Sequence, residues 1–214
     1  LPPFVPRVPQ HSAWVGFRQA VTFIRGDPRV STIVILVAVF SVFGFPFLVL
    51  MPVVARDVVH TDARGYGLLM AAVGVGAMLG ALALAVAGRR VQQGRALLQS
   101  GAAFSALLVA FAAARSFGLA LGLLALAGCA MIITTALANT ILQTLVPAAL
   151  RGRVMAFYAF VFVGLAPLGA FQAGFVAEHR GAPVAIAVGG VVCLVAMAVA
   201  GWRATPTIPS ASPP

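Results

Sequence analysis

The sequence predicts an all-α membrane protein with six transmembrane helices, and three observations carry the prediction. Of 214 residues, 62% are hydrophobic and only 8% are charged, whereas a soluble domain carries about 25% charged residues. The mean hydropathy is +1.07. The apolar residues gather into six runs of about the 20 residues that a spanning helix needs. They do not alternate as the strands of a membrane barrel do, and unalternated backbone in lipid satisfies its polar groups as helix. The same composition excludes disorder for most of the chain. Two cysteines are too few for a secreted disulfide scaffold.

The elements follow in order. Residues 1–11 are Pro-rich and read as a linker. Over 12–25, Trp14, Phe17, Val21 and Ile24 recur at spacings of 3, 4 and 3, one face of a helix, with Arg18, Gln19 and Arg25 off that face. Ser12 is placed to cap it and Gly26-Asp27-Pro28 to stop it. The segment reads as an amphipathic helix on the membrane or under the bundle, with a plain linker as the alternative. Residues 1–28 thus form a cytoplasmic linker, and 29–203 a bundle with spans at about 30–54, 66–88, 96–114, 117–144, 154–176 and 183–202. The first run begins too late and is too long for a signal peptide. Residues 204–214 are rich in Pro, Ser and Thr and read as a disordered cytoplasmic tail. The chain starts at Leu1, so it is read as processed or as a piece of something longer.

The gaps between spans are short, which makes sequential helices antiparallel neighbours. Orientation follows from the arginines. All fourteen basic residues are Arg. With six spans, Arg7, Arg18, Arg25, Arg29, Arg89, Arg90, Arg95, Arg151, Arg153 and Arg203 share one side, while Arg56, Arg64, Arg115 and Arg180 share the other with Asp57, Asp62 and Glu178. Ten against four places both termini in the cytoplasm. The net charge of +10 is therefore read as topological. No run of five basic residues exists to track a phosphate backbone, so nucleic acid is not an expected partner.

All four acidic residues and all three histidines fall outside the spans, so no ionisable side chain stands at mid-membrane to mark a reaction centre. There is no P-loop. The chain is expected to be neither an enzyme nor a carrier of a metal or cofactor. Cys129 and Cys193 lie in apolar runs and read as small apolar residues.

Three patterns carry functional content. Gly76 and Gly80 form a GxxxG in the second span with Ala72 one turn earlier, and Ala170 and Gly174 repeat the spacing in the fifth. Such stripes let helices pack closely and read either as tight packing or as helices that slide. Gly44 and Pro46 interrupt the first span among Phe40, Phe43, Phe45 and Phe47, and Pro167 interrupts the fifth beside Gly164 and Gly169. Proline removes a backbone donor and kinks a helix. These breaks suit either a transporter that bends around its site or a static bundle. Thr135, Asn139 and Gln143 are spaced i, i+4, i+8 in the fourth span, within an arc of about 80°. A polar stripe facing lipid is costly, so it faces another helix or a water-filled cavity. Gln172 is a similar lone polar residue. Transport-route candidates are thus Phe43, Pro46, Thr135, Asn139, Gln143 and Gln172.

From Asn139 to Tyr158 the chain reads NTILQTLVPAALRGRVMAFY. This resembles the tenth helix, cytoplasmic loop and eleventh helix of major facilitator superfamily transporters, closest to the branch called transmembrane secretion effectors, which includes the enterobactin exporters. The stretches GFVAEHRGAP from Gly174 and GFRQAVTFIRGDP from Gly16 resemble that branch's junction of helices eleven and twelve and its amphipathic segment before helix seven. The resemblance implies the second six-helix half of a twelve-helix exporter. Its partners would be the lipid bilayer, a small amphipathic substrate (a siderophore or drug-like molecule) and an N-terminal six-helix half, or else a second copy in a homodimer. It implies alternating access in a bacterial inner membrane, proton-coupled through the other half, with Arg151, Gly152 and Arg153 as a cytoplasmic loop motif. Two departures weigh against charge-relay gating in this half. Ala148 and Ala149 stand where the family often has an acidic residue, and Val91 and Gln92 stand at positions usually charged before the Gly94-Arg95 pair. A non-transporting six-helix membrane protein or truncated remnant is the alternative.

Overall fold

The computed structural model describes residues 13–88 and 92–204. The linker read over 1–11, the Ser12 cap, Arg89, Arg90 and Val91, and the tail from 205 lie outside the described residues. The described residues form helices and no strand. In chain order these are α1 (Ala13–Gly26), α2 (Pro28–Val39), a π-helical turn (Phe40–Gly44), α3 (Phe47–Asp57), α4 (Ala63–Ala87), α5 (Gln93–Ala113), α6 (Phe117–Leu145), α7 (Ala148–Gly164), α8 (Ala166–Arg180) and α9 (Ala182–Ala204). Six stretches are long and apolar enough to cross a membrane. The first, Pro28–Asp57, contains α2, the π turn and α3; the fifth, Ala148–Arg180, contains α7 and α8. The others are α4, α5, α6 and α9.

Local chemistry sets the ends. Asp27 accepts from the backbone N–H of Arg29 (2.9 Å) and Val30 (3.4 Å), and Pro28 occupies the first helical turn of α2. Asp62 caps α4 in the same way through Gly65 N–H at 2.9 Å. These bonds satisfy donors that a helix start leaves open. Among the described residues, the carboxylates stand at such ends and not within the apolar stretches: Asp27 and Asp62 cap, Asp57 is the last residue of α3, and Glu178 lies in the last turn of α8.

Helices α4 and α6 cross in close backbone contact. A Cβ on Gly76 would overlap the carbonyl of Ala125, and one on Gly128 would overlap that of Val73. A Cβ on Gly80 would lie 2.6 Å from the Cys129 carbonyl oxygen. The GxxxG of the second span therefore packs against the fourth. Its counterpart in the fifth span does not: a Cβ on Gly174 meets nothing, and Gly169 and Ala173 are the buried small residues there.

The core has two parts. One gathers Phe104, Met51, Leu69 and Leu124 from α5, α3, α4 and α6, together with Cys193 from α9. The other joins α1 to the spans through Ala20, Ile24, Val34, Leu142 and Val154. Helix α1 is thus seated against α7 and α2, under the bundle. Its buried face is centred on Ala20 and Ile24, whereas Trp14 is 66% exposed. Small Ala20 allows the close approach, and Trp14, at the start of α1, stacks instead on Phe17 at 5.7 Å. Large apolar side chains such as Ile35, Leu82, Leu126, Phe171 and Val195 point outward, as expected where the surrounding solvent is hydrocarbon.

Candidate functional site

The first and fifth spans are both interrupted, and the two interruptions dock on each other. In the first, Pro46 has no N–H to offer the Val42 carbonyl four residues back. The backbone widens there, with Phe45 N–H reaching Phe40 O at 2.9 Å, a π-type bulge of the kind that kinks helices. In the fifth, α7 ends at Gly164; the cap residue Leu165 donates to the Val161 carbonyl at 3.4 Å, and the carbonyls after it face the break. Pro167, in the first turn of α8, supplies none.

Each break is satisfied by the other span. The amide of Gln172, on α8, donates to the Val42 carbonyl at 3.0 Å. The hydroxyl of Ser41 donates to the Phe162 carbonyl, near the end of α7, at 2.8 Å. Ser41 is 1% exposed. Gly169 lets the spans approach: a Cβ there would stand 2.8 Å from Pro46 Cγ and Ser41 O, and 2.9 Å from Val42 O. On the other flank, a Cβ on Gly189 of α9 would overlap the Phe43 carbonyl. Aromatic rings close the arrangement. Phe45 meets Phe162 edge-on at 5.3 Å, and Phe40, Phe45 and Phe47 surround Phe104 at 5.7–6.2 Å.

A cavity of about 20 Å³ lies beside the breaks, with Val37, Phe40, Phe45, Thr135, Tyr158 and Phe162 in its wall. That volume is near one water molecule, so a cargo does not fit in this cavity in the observed conformation.

The candidate residues thus divide. Pro46 and Gln172 meet at the paired breaks, Phe43 contributes its backbone there, and Thr135 reaches the adjoining cavity. Asn139 and Gln143 lie elsewhere. Gln143 donates to Asn139 at 3.0 Å; Gln143 is exposed and Asn139 half-buried. Thr135 turns its hydroxyl back to the Met131 carbonyl at 3.0 Å. Neighbouring Thr134 faces inward, donating to the Ala130 carbonyl and standing 2.9 Å from the Ser100 hydroxyl. The outer end of the stripe therefore opens on the surface of the chain.

The Arg-Gly-Arg motif is corrected in one respect. Arg151, Gly152 and Arg153 are the first turns of α7, not a loop. Pro147 precedes the helix, its carbonyl accepts from Leu150 and Arg151 at 3.0 Å, and Ala148 and Ala149 are strong helix formers. Arg151 is exposed, whereas the Arg153 guanidinium donates to Gln19 Oε1 of α1. Phe17 and Phe157 touch beside that bond, with ring centroids 5.4 Å apart. Sequence reasoning missed Ser41 and Phe162. The available signal for Ser41 was a hydroxyl inside an apolar run five residues before a proline.

A family model described as transmembrane secretion effector matches residues 5–212. That match covers nearly the whole chain, and the chain belongs to this family of major facilitator transporters. No curated protein and no solved structure matches it.

Proposed function

From that membership, we propose that the chain is the second six-helix half of an exporter of a small amphipathic molecule, siderophore or drug-like. It works by alternating access against an N-terminal six-helix half. Coupling to protons runs through that other half, since the carboxylates described here cap helices or end them. The protein resides in a bacterial inner membrane with both ends of the chain in the cytoplasm.

The observation that carries the reading is the open polar stripe. Exposed Gln143 bonds to half-buried Asn139, so the described helices leave the outer end of the stripe open. Amides facing lipid are disfavoured, so a water-filled route or a facing half is their favourable environment. The least covered spans agree: 22% of the second and 17% of the fifth are buried within the chain, against 56% of the first. The paired breaks supply a place to bend.

The test is efflux of ethidium, an amphipathic aromatic probe, and of a catecholate siderophore from cells making the full-length protein. We expect at least one to be exported, and the export to be lost in Asn139→Leu/Gln143→Leu with unchanged membrane abundance. Normal efflux in the double variant reduces the stripe to packing. Export of neither probe, with the protein in the membrane, favours a six-helix protein that does not transport.

A further inference from the structure

A groove of about 280 Å³ lies between α5 and α9, lined by Leu98, Gln99, Ala102, Leu194, Met197 and Ala198. Met197 divides it from the cavity beside the paired breaks, whose wall it also lines. The groove lies on different helices from α4 and α7–α8, the spans left most uncovered for a facing half. Sequence explains its depth. The outward face of α5 carries only small side chains beyond Gln99, namely Ala102, Ala103, Ala106 and Ala110. Met197 is held down against Gly101, where a Cβ would overlap its terminal methyl. Two alanines, Ala102 and Ala198, thus face each other across an apolar trough.

One end of the trough is polar. Arg95, Gln99 and Ala102 are spaced i, i+4, i+7 and share a face of α5, and Arg95 and Gln99 are both exposed. Across from them, Trp202 stands one turn beyond Ala198 on α9 and is 81% exposed. Helix α5 begins, and α9 ends, at the same face of the membrane. Arg95 and Trp202 therefore stand at headgroup level. Ala102 lies about 10 Å deeper, at 1.5 Å per residue, among the acyl chains. No acidic residue belongs to α5 or α9; Asp57, Asp62 and Glu178 lie at the opposite ends of the spans, and Asp27, on the same side as Arg95, caps α2.

We propose that this groove binds one anionic phospholipid. Its phosphate lies against the Arg95 guanidinium, a permanent cation that grips phosphate oxygens in a fork, with the Gln99 amide as second donor. The Trp202 indole sits at the glycerol level, where amphipathic rings collect, and one acyl chain fills the trough between Ala102 and Ala198. A helix of a partner protein is too wide an occupant, at about 10 Å across, for a trough walled by two helices already packed together.

Tryptophan fluorescence tests this directly when Trp202 is the only reporter, with Trp14 and every tryptophan in the rest of the full-length protein replaced by Phe. The full-length protein carrying those changes is reconstituted in phosphatidylcholine vesicles. The vesicles contain a fixed fraction of either dibrominated phosphatidylglycerol or dibrominated phosphatidylcholine. We expect the anionic quencher to associate about fivefold more strongly, the enrichment one arginine near a membrane surface supports. The preference should vanish in Arg95→Gln and in Ala102→Leu or Ala198→Leu, which fill the trough from either wall, and persist in Arg95→Lys. Equal quenching by the two lipids overturns the proposal. So does a preference that survives both Arg95→Gln and the filled trough, which is general attraction to a basic face. Protection of Trp202 from both quenchers overturns it too, and assigns the groove to another protein surface.

Discussion

The second and fourth spans cross as two unbroken helices, whereas the first and fifth meet at their breaks. In the α4–α6 crossing, Gly76, Gly80 and Gly128 bring backbone against backbone, and every carbonyl in contact keeps its own intrahelical donor. The contact is dispersion and shape alone, and close-packed backbone has one good arrangement. At the breaks, two spans each lack backbone donors, and Ser41 and Gln172 supply them across the gap. Such bonds can be exchanged for others as the spans bend, since the donors are side chains with rotamers of their own. Close approach by glycine therefore builds a fixed frame here. On the proposed function, the broken helices are the part that bends.

The sharpest way to break the comparison is to place a side chain in each contact. Gly76→Leu or Gly128→Leu should cost about 3 kcal/mol or more through overpacking against a carbonyl. We expect loss of monodisperse protein in size-exclusion chromatography. Gly169→Leu meets similar crowding, but the breaks can part to relieve it. We expect a folded protein destabilised by about 1–3 kcal/mol, seen as a lowered Tm, with transport lost. Equal damage at both places would remove the distinction between frame and hinge.

Much of this was legible in the sequence, because lipid imposes a strong rule. Six apolar runs can satisfy their backbone only as helices, and proline marks a break wherever it falls, so Pro46 and Pro167 announced themselves. Their pairing was not legible. Ser41 and Phe162 are 121 residues apart, and no local pattern says that one break satisfies the other. The Arg-Gly-Arg stretch was read as a loop because its charge interrupts hydrophobicity. Charge marks where a helix leaves lipid, not where it ends, so α7 continues through it. Trp14 was grouped with Phe17, Val21 and Ile24 on one face of α1 from spacing alone, yet Ala20, a residue that spacing arguments ignore, sits at the centre of the contact.

Smaller changes sharpen the contrast further. Gln172→Leu removes one cross-span bond and should cost about 0.6–1.7 kcal/mol, the range for hydrogen bonds between membrane helices. The expected signature is slower transport at nearly normal Tm. Arg153→Gln releases α1 from α7 at one exposed polar contact. We expect at most about 1 kcal/mol, with faster amide exchange confined to residues 13–26.

The central claim, that the two breaks are one coupled unit, is tested most directly by amide hydrogen exchange on the full-length protein and its Gln172→Leu variant, which needs no knowledge of the cargo. The account predicts faster exchange at both breaks, residues 40–50 in the first span and 160–170 in the fifth, with α4 and α6 unchanged. Acceleration confined to the fifth span, or spread equally into the α4–α6 crossing, would contradict it.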